Sequence, residues 1–255
     1  MKFYENAREL MSEMGRDLWE MGLLNNPKTY QDIVIEGNEE MSTKELICKQ
    51  YCLTKLDDPE YLFAYTNTKE WADAELDERL TTGFNPGKAW TLNYPMWNKF
   101  IDPKTGTFSY TYSQRFGERV IYKNHNNISN LEAVIRLLRD DPDTRKAVLS
   151  VYRKDIDSNH YEGDARIPCS MYYDFLVRDL GSGPQVNIVY HQRSSDFINH
   201  FGDDVYLAWG LMQYVAEEVG IKEGYLFHTI DSIHAYKKDW FKLKTSIDDL
   251  VHPVL

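Results

Sequence analysis

Cys169 is the residue whose surroundings in the sequence most suggest a chemical role. It stands in the run Arg166-Ile167-Pro168-Cys169-Ser170, where the proline fixes the local backbone and favours a sharp entry into a following strand. A thiol at the edge of a strand and near arginines can ionise and act as a nucleophile. Taken alone, however, the run fits an ordinary buried cysteine better.

Two further segments carry cations that suit a phosphate group. Arg193 and Ser194 combine a guanidinium with a hydroxyl in the run QRSSD, and Asp196 in the same run can accept two donors. Arg145 and Lys146 begin a predicted strand, where adjacent side chains point to opposite faces, so only one of them is expected to reach a given phosphate. A polar turn and a solvated charge pair are the simpler explanations of these two segments taken separately.

His234 and Tyr236 form the last candidate pair. They lie two residues apart in the run HAY, which places an imidazole and a phenol on one face of an extended segment. Such a pair can grip a sugar hydroxyl, although a core aromatic beside a satisfied histidine is the simpler explanation.

Hydrophobic periodicity and turn residues predict the elements that must position these side chains. Helices are predicted over 3–23, 68–80, 130–140, 203–219 and 237–249. Strands are predicted over 29–37, 44–53, 146–152, 170–178 and 185–191, with a strand followed by a loop over 225–236. The stretch 81–111 is predicted to be a loop with short irregular structure. Because strands and helices mix without strict alternation, we expect a single α+β domain over 1–255 around a large sheet.

The composition narrows the class of protein. A net charge of −11 disfavours direct binding to nucleic acid, yet a local cluster of cations can still hold one phosphate. No apolar run reaches the roughly 20 residues that a membrane helix needs, and the charged N-terminus lacks a secretory signal. The three cysteines form no CxxC pair, so we expect neither a disulfide framework nor a metal site. We expect a cytoplasmic protein, or one of the host cytoplasm if its source is viral.

The order of these motifs resembles the thymidylate synthase superfamily. The runs DPDTRK, PCS, YHQRSSDFINHFGDD and HTIDSIHAY match its arginine pair, its nucleophile, its Gln-Arg-Ser-x-Asp motif and its final His-x-Tyr. The resemblance is clear over about residues 140–240 and fainter before them. It implies a large mixed β-sheet flanked by helices, a homodimer that forms across one sheet face, and 5,10-methylenetetrahydrofolate as co-substrate without a metal.

The resemblance also implies roles for individual residues. Cys169 would be the nucleophile, and Arg193 would lower the pKa of its thiol. The substrate-binding residues would be Arg145, Lys146, Arg193, Ser194, Asp196, His234, Tyr236 and, from the N-terminal half, Lys28. The cations Arg145 and Lys146 would reach the phosphate from the partner subunit, although lysine at the second position loses the bidentate fork of an arginine.

The N-terminal half supplies the remaining residues implied by the resemblance. Glu75 would be the general acid and base, with a solvated helix glutamate as the alternative. Trp97, Tyr112 and Asp196 would contact the folate. These assignments rest on a fainter similarity than those around Cys169.

Asp204 predicts the base on which the enzyme acts. Thymidylate synthases read uracil with an asparagine eight residues after the motif aspartate, and the same count from Asp196 reaches Asp204. A carboxylate only accepts hydrogen bonds, so it would repel O4 of uracil and pair with N4 and a protonated N3 of cytosine. This substitution is the pattern of the phage deoxycytidylate hydroxymethylases. The alternative is that Asp203 or Asp204 merely caps the following helix.

We therefore expect a dCMP hydroxymethylase in which Cys169, Glu75 and Asp204 are catalytic. Ser170 stands where the family has a histidine, and the run DDLVHPVL does not match the family's closing tail. Both differences favour the admission of water, which would give a hydroxymethyl product. The alternatives left open are a methylating enzyme of the same family, a CMP hydroxymethylase and a non-catalytic nucleotide-binding protein. A cysteine hydrolase that pairs Cys169 with His160 has no motif to support it.

Overall fold

The structure is a computed structural model that describes residues 1–30, 33–66, 68–123, 125–158 and 166–252. Its main sheet has seven strands in the order β1-β5-β11-β10-β9-β8, and β2 also pairs with β5. The strands are β1 (Lys2–Tyr4), β2 (Leu23–Asn25), β3 (Thr29–Tyr30), β4 (Ile33–Val34), β5 (Thr43–Leu53), β6 (Arg119–Tyr122), β7 (His125–Ser129), β8 (Val148–Ser150), β9 (Ser170–Asp179), β10 (Pro184–Asp196) and β11 (Lys222–Tyr236). The β1–β5 and β10–β11 pairs are parallel and the other pairs are antiparallel, so the sheet is mixed, as predicted.

The helices differ widely in length. They are α1 (Ala7–Met21), α2 (Lys69–Thr81), α3 (Tyr94–Trp97), α4 (Tyr112–Phe116), α5 (Asn130–Asp140), α6 (Lys154–Asp157), α7 (Gly202–Val219), α8 (Trp240–Leu243) and α9 (Ile247–Val251). The four predicted long helices before residue 220 are confirmed. The predicted loop over 81–111 contains only short helical turns and α3.

Local sequence explains where the long helices begin and end. The Asn6 side chain caps α1 by accepting a hydrogen bond from the backbone N–H of Glu9. Helix α7 ends at Gly220, whose φ of 75° lies in the left-handed region that glycine adopts without steric cost.

One face of the central strands carries the hydrophobic core. Val186, Ile188 and Tyr190 on β10 are buried, as are Leu226 and Ile230 on β11. This period of two is the pattern of strands that turn one face to a core. Helix α7 packs on β10 and β11, and α1 packs on β5.

The opposite face of the sheet is only half-buried in the single chain, for example at Tyr172, Val189 and Phe227. The resemblance places a second subunit on this face, and the homodimer stays a prediction.

The pairing of β10 with β11 brings two sequence motifs together. These strands are parallel, and their register sets Ser194 beside Ser232 and Asp196 beside His234. The QRSSD and HAY runs therefore end side by side at the carboxyl ends of the two central strands, ahead of α7 and of the C-terminal helices.

Three predicted elements are wrong in detail. The predicted strand over 29–37 is the small β3–β4 hairpin, which stands apart from the main sheet. Strand β11 continues to Tyr236 without the predicted loop. The predicted helix over 237–249 is a 3-10 turn followed by α8 and α9, because Ser246 takes a non-helical backbone with φ −58° and ψ 135°. Serine favours such interruptions because its hydroxyl competes for local backbone hydrogen bonds.

Candidate active site

A cavity of about 430 Å³ opens at the carboxyl ends of the central strands β10 and β11. This volume lies within the range of small-molecule sites. Ten of the residues singled out from the sequence line it, namely Glu75, Trp97, Tyr112, Cys169, Arg193, Ser194, Asp196, Asp204, His234 and Tyr236. The fold therefore brings together residues from both halves of the chain.

Cys169 is held at the entry to β9 by contacts with Arg193 and Tyr112. The backbone N–H of Arg193 donates to the carbonyl of Cys169 at 2.8 Å. The Arg193 guanidinium donates to the carbonyls of Pro168 at 2.9 Å and Ile167 at 2.8 Å. On the other side, the N–H of Ser170 donates to the Tyr112 hydroxyl at 3.2 Å. The thiol is thus fixed in the cavity with a cation beside it.

Opposing influences act on the pKa of the Cys169 thiol. Burial raises the pKa most strongly, and the carboxylates of Asp204 and Asp196 add to the rise. The positive charges of Arg193 and Arg166 oppose it. Arg193 thus acts in the expected direction, but burial is the larger effect and the thiol's pKa is raised.

The other two cysteines lie in different surroundings. Cys48 is exposed, whereas Cys52 is buried and its pKa is raised to about 12 by burial. Neither lines the cavity, so Cys169 is the cysteine placed to react with a ligand there.

Glu75 and Arg79 form an ion pair one turn apart on α2. Arg79 Nε lies 2.8 Å from Glu75 Oε1, and the guanidinium stacks 4.0 Å from the ring centre of Tyr112. Burial raises the pKa of Glu75 while the Arg79 charge opposes that rise. A carboxyl group that holds its proton more readily than usual is suited to general acid and base chemistry.

Asp204 lies in the first turn of α7 and is oriented by two donors. Gln192 Nε2 donates to Asp204 Oδ2 at 2.5 Å, and the Ser195 hydroxyl donates to the same oxygen at 3.0 Å. Burial raises the pKa of this carboxyl group, and the Gln192 hydrogen bond is the largest opposing influence. Asp203 accepts instead from the Thr68 hydroxyl at 2.5 Å. These bonds come from side chains outside the helix, so both carboxylates have a role other than capping α7.

Asp196 has a structural role as well as a place in the cavity. Its Oδ1 accepts from the backbone N–H groups of Ile198 at 3.1 Å and Asn199 at 3.2 Å, and its Oδ2 accepts from Asn199 Nδ2 at 2.8 Å. The side chain thereby caps the π-helix Phe197–Phe201 that leads into α7. Near it, the rings of His234 and Tyr236 pack edge to face at 5.3 Å.

The cavity wall around Trp97 is built from packed aromatic rings. Trp97 stacks on Trp71 with ring centres 5.6 Å apart, and His200 lies 5.8 Å from it. In the described part of the chain, the buried Nε1 atom of Trp97 has no hydrogen-bond partner. An aromatic surface with an available donor suits a heteroaromatic ligand.

Several cavity residues were not singled out from the sequence as site residues, and the charged or titratable ones include Arg79, Arg166, His200 and Asp203. The spacing of Arg79, four residues after Glu75, was a usable signal. The other three offered no such signal, because the contacts that set them in the cavity wall involve residues distant in sequence. The Arg166 guanidinium lies 4.3 Å from the centre of the Phe100 ring, His200 packs against Trp97, and Asp203 accepts a hydrogen bond from Thr68.

Three predicted substrate-binding residues do not line this cavity. Lys28 is exposed and its Nζ pairs with Glu36 at 3.1 Å, while its neighbours Pro27 and Thr29 do line the cavity, so its role in substrate binding stays a prediction. Arg145 and Lys146 are exposed just before β8, and their donation to a second subunit stays a prediction. His160 lies outside the described residues.

The described ranges contain neither a metal-binding cluster nor a membrane-spanning helix. Within them, no three His, Cys, Asp or Glu side chains are grouped so as to hold a metal ion. None of the helices described there is long and apolar enough to cross a membrane.

Comparisons with known proteins agree with this geometry. Residues 87–253 match the family described as thymidylate synthase, and the chain belongs to this family. A putative thymidylate synthase of Methanosarcina barkeri is 30% identical over 136 residues, which cover 53% of this chain and 57% of that protein. The deoxyuridylate hydroxymethyltransferase of Bacillus phage SP01 is 25% identical over 134 residues, covering 49% and 34% respectively.

A structural comparison shows the same fold. The thermostable thymidylate synthase A from Bacillus subtilis superposes with a TM-score of 0.66 at 16% identity, covering 95% of this chain and 84% of that one. The chain spans about half the length of the curated relatives it matches. The predicted superfamily and fold class are confirmed.

Proposed function

We propose that this protein is a deoxycytidylate 5-hydroxymethyltransferase that uses 5,10-methylenetetrahydrofolate as its one-carbon donor. The observation that carries the proposal is the placement of the Asp204 carboxylate in one cavity with Cys169. Reaction at a cytosine ring requires a nucleophile that adds to C6 and a hydrogen-bond acceptor that faces the N4 amino group. Membership of the thymidylate synthase family supports the folate-dependent chemistry.

The preference for cytosine follows from hydrogen-bonding capacity. An ionised carboxylate has about four acceptor sites and no donor. Gln192 and Ser195 occupy two of these sites on Asp204, which leaves acceptors for the N4 amino group and a protonated N3. Uracil would present O4, a second acceptor, to the same carboxylate and would be repelled.

The side chains suggest a division of labour during the reaction. The Cys169 thiolate adds to C6, and Arg193 beside it favours the ionised sulfur. Asp204 stabilises the proton on N3, which makes the ring a better acceptor of electrons. Glu75 moves protons at the ring and accounts for loss of the C5 proton. The folate supplies the carbon that becomes attached to C5.

A polar corner of the cavity supports hydroxymethylation rather than methylation. The Asp203 and His200 side chains come within 4.0 Å of each other beside Trp97. Two polar groups in a cavity give an ordered water the partners that it needs. Such a water would add to the activated one-carbon unit and give the hydroxymethyl product.

Product analysis by mass tests the proposal. The protein is incubated with the folate and with dCMP, dUMP or CMP separately. We expect dCMP to gain one formaldehyde equivalent, with tetrahydrofolate released. A gain of one methylene equivalent with dihydrofolate released would instead identify a methylating enzyme. Preferred hydroxymethylation of dUMP would assign the activity named for the phage relative, and preferred turnover of CMP would assign a ribonucleotide enzyme.

The variant Asp204→Asn is the sharpest control for the base. An amide offers one donor and one acceptor and is complementary to uracil. We expect the ratio of kcat/KM for dCMP over dUMP to fall by a factor of about 100 or more, since a mismatched polar contact in a buried site is costly. An unchanged ratio would contradict the role of Asp204.

A further inference from the structure

A chain of buried hydrogen bonds leads from β5 through β11 and β10 to Asp204. The Tyr51 hydroxyl lies 2.8 Å from His228 Nδ1, and His228 Nε2 lies 3.1 Å from Gln192 Oε1. Gln192 Nε2 then donates to Asp204 Oδ2 at 2.5 Å. The strand register sets Tyr51 directly beside His228, so the sheet itself brings these groups into line.

The members of this chain are shielded from water. Tyr51 and Gln192 have 0% of their surface exposed, and His228 has 1%. The His228 ring is also stacked on the Tyr190 ring at 4.2 Å. Buried polar groups of this kind must be satisfied by one another, so reversing one hydrogen bond leaves a neighbour unpaired.

The hydrogen-bond chain has only one donor-to-acceptor direction that is consistent with an ionised Asp204. A carboxylate accepts, so the Gln192 amide group donates and its carbonyl must accept. His228 therefore carries its proton on Nε2. Burial keeps the pKa of His228 well below its usual value and that of Tyr51 well above. The ring is thus neutral, its Nδ1 accepts, and the Tyr51 hydroxyl donates.

The direction of these hydrogen bonds matters because a protonated Asp204 would be complementary to uracil instead of cytosine. A neutral carboxyl group offers one donor and one acceptor, as an amide does, and would match uracil. Two donors on Oδ2 oppose protonation of that oxygen, and they offset part of the burial that favours it. The nearby charge of Arg79 acts in the same direction as these donors.

We propose that Gln192, His228 and Tyr51 are positioning residues that keep Asp204 a pure hydrogen-bond acceptor and thereby set the preference for cytosine over uracil. This inference rests on the proposed function. It assigns part of the base specificity to Tyr51, which does not line the cavity.

Two variants test the proposal through the ratio of kcat/KM for dCMP over dUMP. In Gln192→Glu, two carboxyl groups face each other and must share a proton, so Asp204 gains a donor. We expect the ratio to fall at least about 10-fold, the effect of one misdirected hydrogen bond. In Tyr51→Phe, His228 loses the hydroxyl that donates to its Nδ1, so the opposite hydrogen-bond direction becomes accessible. We expect the kcat/KM ratio for dCMP over dUMP to fall about 3-fold.

Tyr4→Phe is the matched control. Tyr4 is as buried as Tyr51 and their rings are 6.0 Å apart, but its hydroxyl interacts with Glu13 rather than with the chain. A purely structural effect would lower activity on both nucleotides equally and leave the ratio unchanged. We therefore expect the wild-type ratio in Tyr4→Phe and a lower ratio only in the two chain variants.

A measurement on the wild-type protein does not depend on the folding of any variant. In ¹⁵N-histidine-labelled protein, the His228 signals should be those of a neutral ring with the proton on Nε2, assigned by their change in Tyr51→Phe. A proton on Nδ1, or a wild-type ratio in both chain variants, would overturn the inference while leaving the proposed function intact. A wild-type enzyme that prefers dUMP would overturn the proposed function itself.

Discussion

Replacing Asp203 by asparagine should relieve a loss of stability that the wild-type protein suffers as pH rises from about 4 to about 8. The Asp203 side chain is only 4% exposed and lies near the negative charges of Asp204 and Glu75. Burial raises its pKa from 3.8 to about 8, while Arg79 and the hydrogen bond from Thr68 act against the rise. In the folded protein this carboxyl group therefore keeps its proton near neutral pH.

The sign and size of the effect follow from linkage. Between pH 4 and pH 8 the folded state holds a proton that the unfolded state has released, so the free energy of unfolding falls as pH rises. At ~1.4 kcal/mol for each unit by which the pKa is raised, the full loss of unfolding free energy is roughly 6 kcal/mol. The stabilisation that comes from the proton on Asp203 is complete below pH 4 and disappears as pH passes 8.

Denaturant unfolding at a series of pH values from 5 to 9 measures this effect. Asp203→Asn keeps an acceptor for Thr68 and has no proton to lose. We expect its free energy of unfolding to rise relative to wild type by several kcal/mol across this range, as an order of magnitude. Contributions from groups that both proteins share cancel in the difference.

Asp73→Asn is the matched control for this series. Asp73 is exposed on α2, and its pKa is lowered by its hydrogen bonds with Lys69 and Tyr206. It is ionised in both the folded and unfolded states from pH 5 to pH 9, so its difference from wild type should stay constant. A constant difference for Asp203→Asn as well would refute the assignment of a buried, protonated carboxyl group.

Three further predictions concern the reaction. Cys169→Ser should abolish turnover yet keep nucleotide binding in calorimetry, and loss of binding would point to a structural role instead. Glu75→Gln should lower kcat by a factor of about 100 to 10,000, the usual contribution of general acid and base catalysis, with dCMP affinity little changed. Arg145→Ala should be impaired alone but partly active when mixed with Cys169→Ser, since each mixed dimer then contains one intact site. In a symmetric dimer with random exchange, about a quarter of wild-type activity is expected; no recovery on mixing would contradict donation of Arg145 across the interface.

The parts of the fold that follow a local rule could be predicted from the sequence. Helices α1, α5 and α7 show their apolar period, and β9 and β10 show alternation. Short strands such as Lys2–Tyr4 and Leu23–Asn25 form because they pair with β5, a partner that no local pattern reveals. The apolar spacing of the C-terminal segment predicts one helix, because it gives no sign of the non-helical backbone at Ser246.

The candidate site likewise contains residues that the sequence predicts and residues that only the folded structure reveals. The motifs around Cys169 and Arg193 are contiguous in sequence, and the order of the motifs identified the family. Glu75, Trp97 and Tyr112 were assigned through that resemblance alone. His200 and Asp203 went unassigned because their setting depends on contacts with Trp97 and Thr68 that only the folded chain creates.

Trapping of a covalent adduct tests most directly whether Cys169 attacks a cytosine ring read by Asp204. A fluorine at C5 cannot leave as a proton, so 5-fluoro-dCMP with the folate should arrest the reaction after the sulfur has bonded to C6. Peptide mass analysis should then find the nucleotide and folate on the peptide that contains Cys169. The adduct should form faster with 5-fluoro-dCMP than with 5-fluoro-dUMP. An adduct at Cys48 or Cys52, no adduct at all, or faster trapping by the uracil analogue would contradict the account.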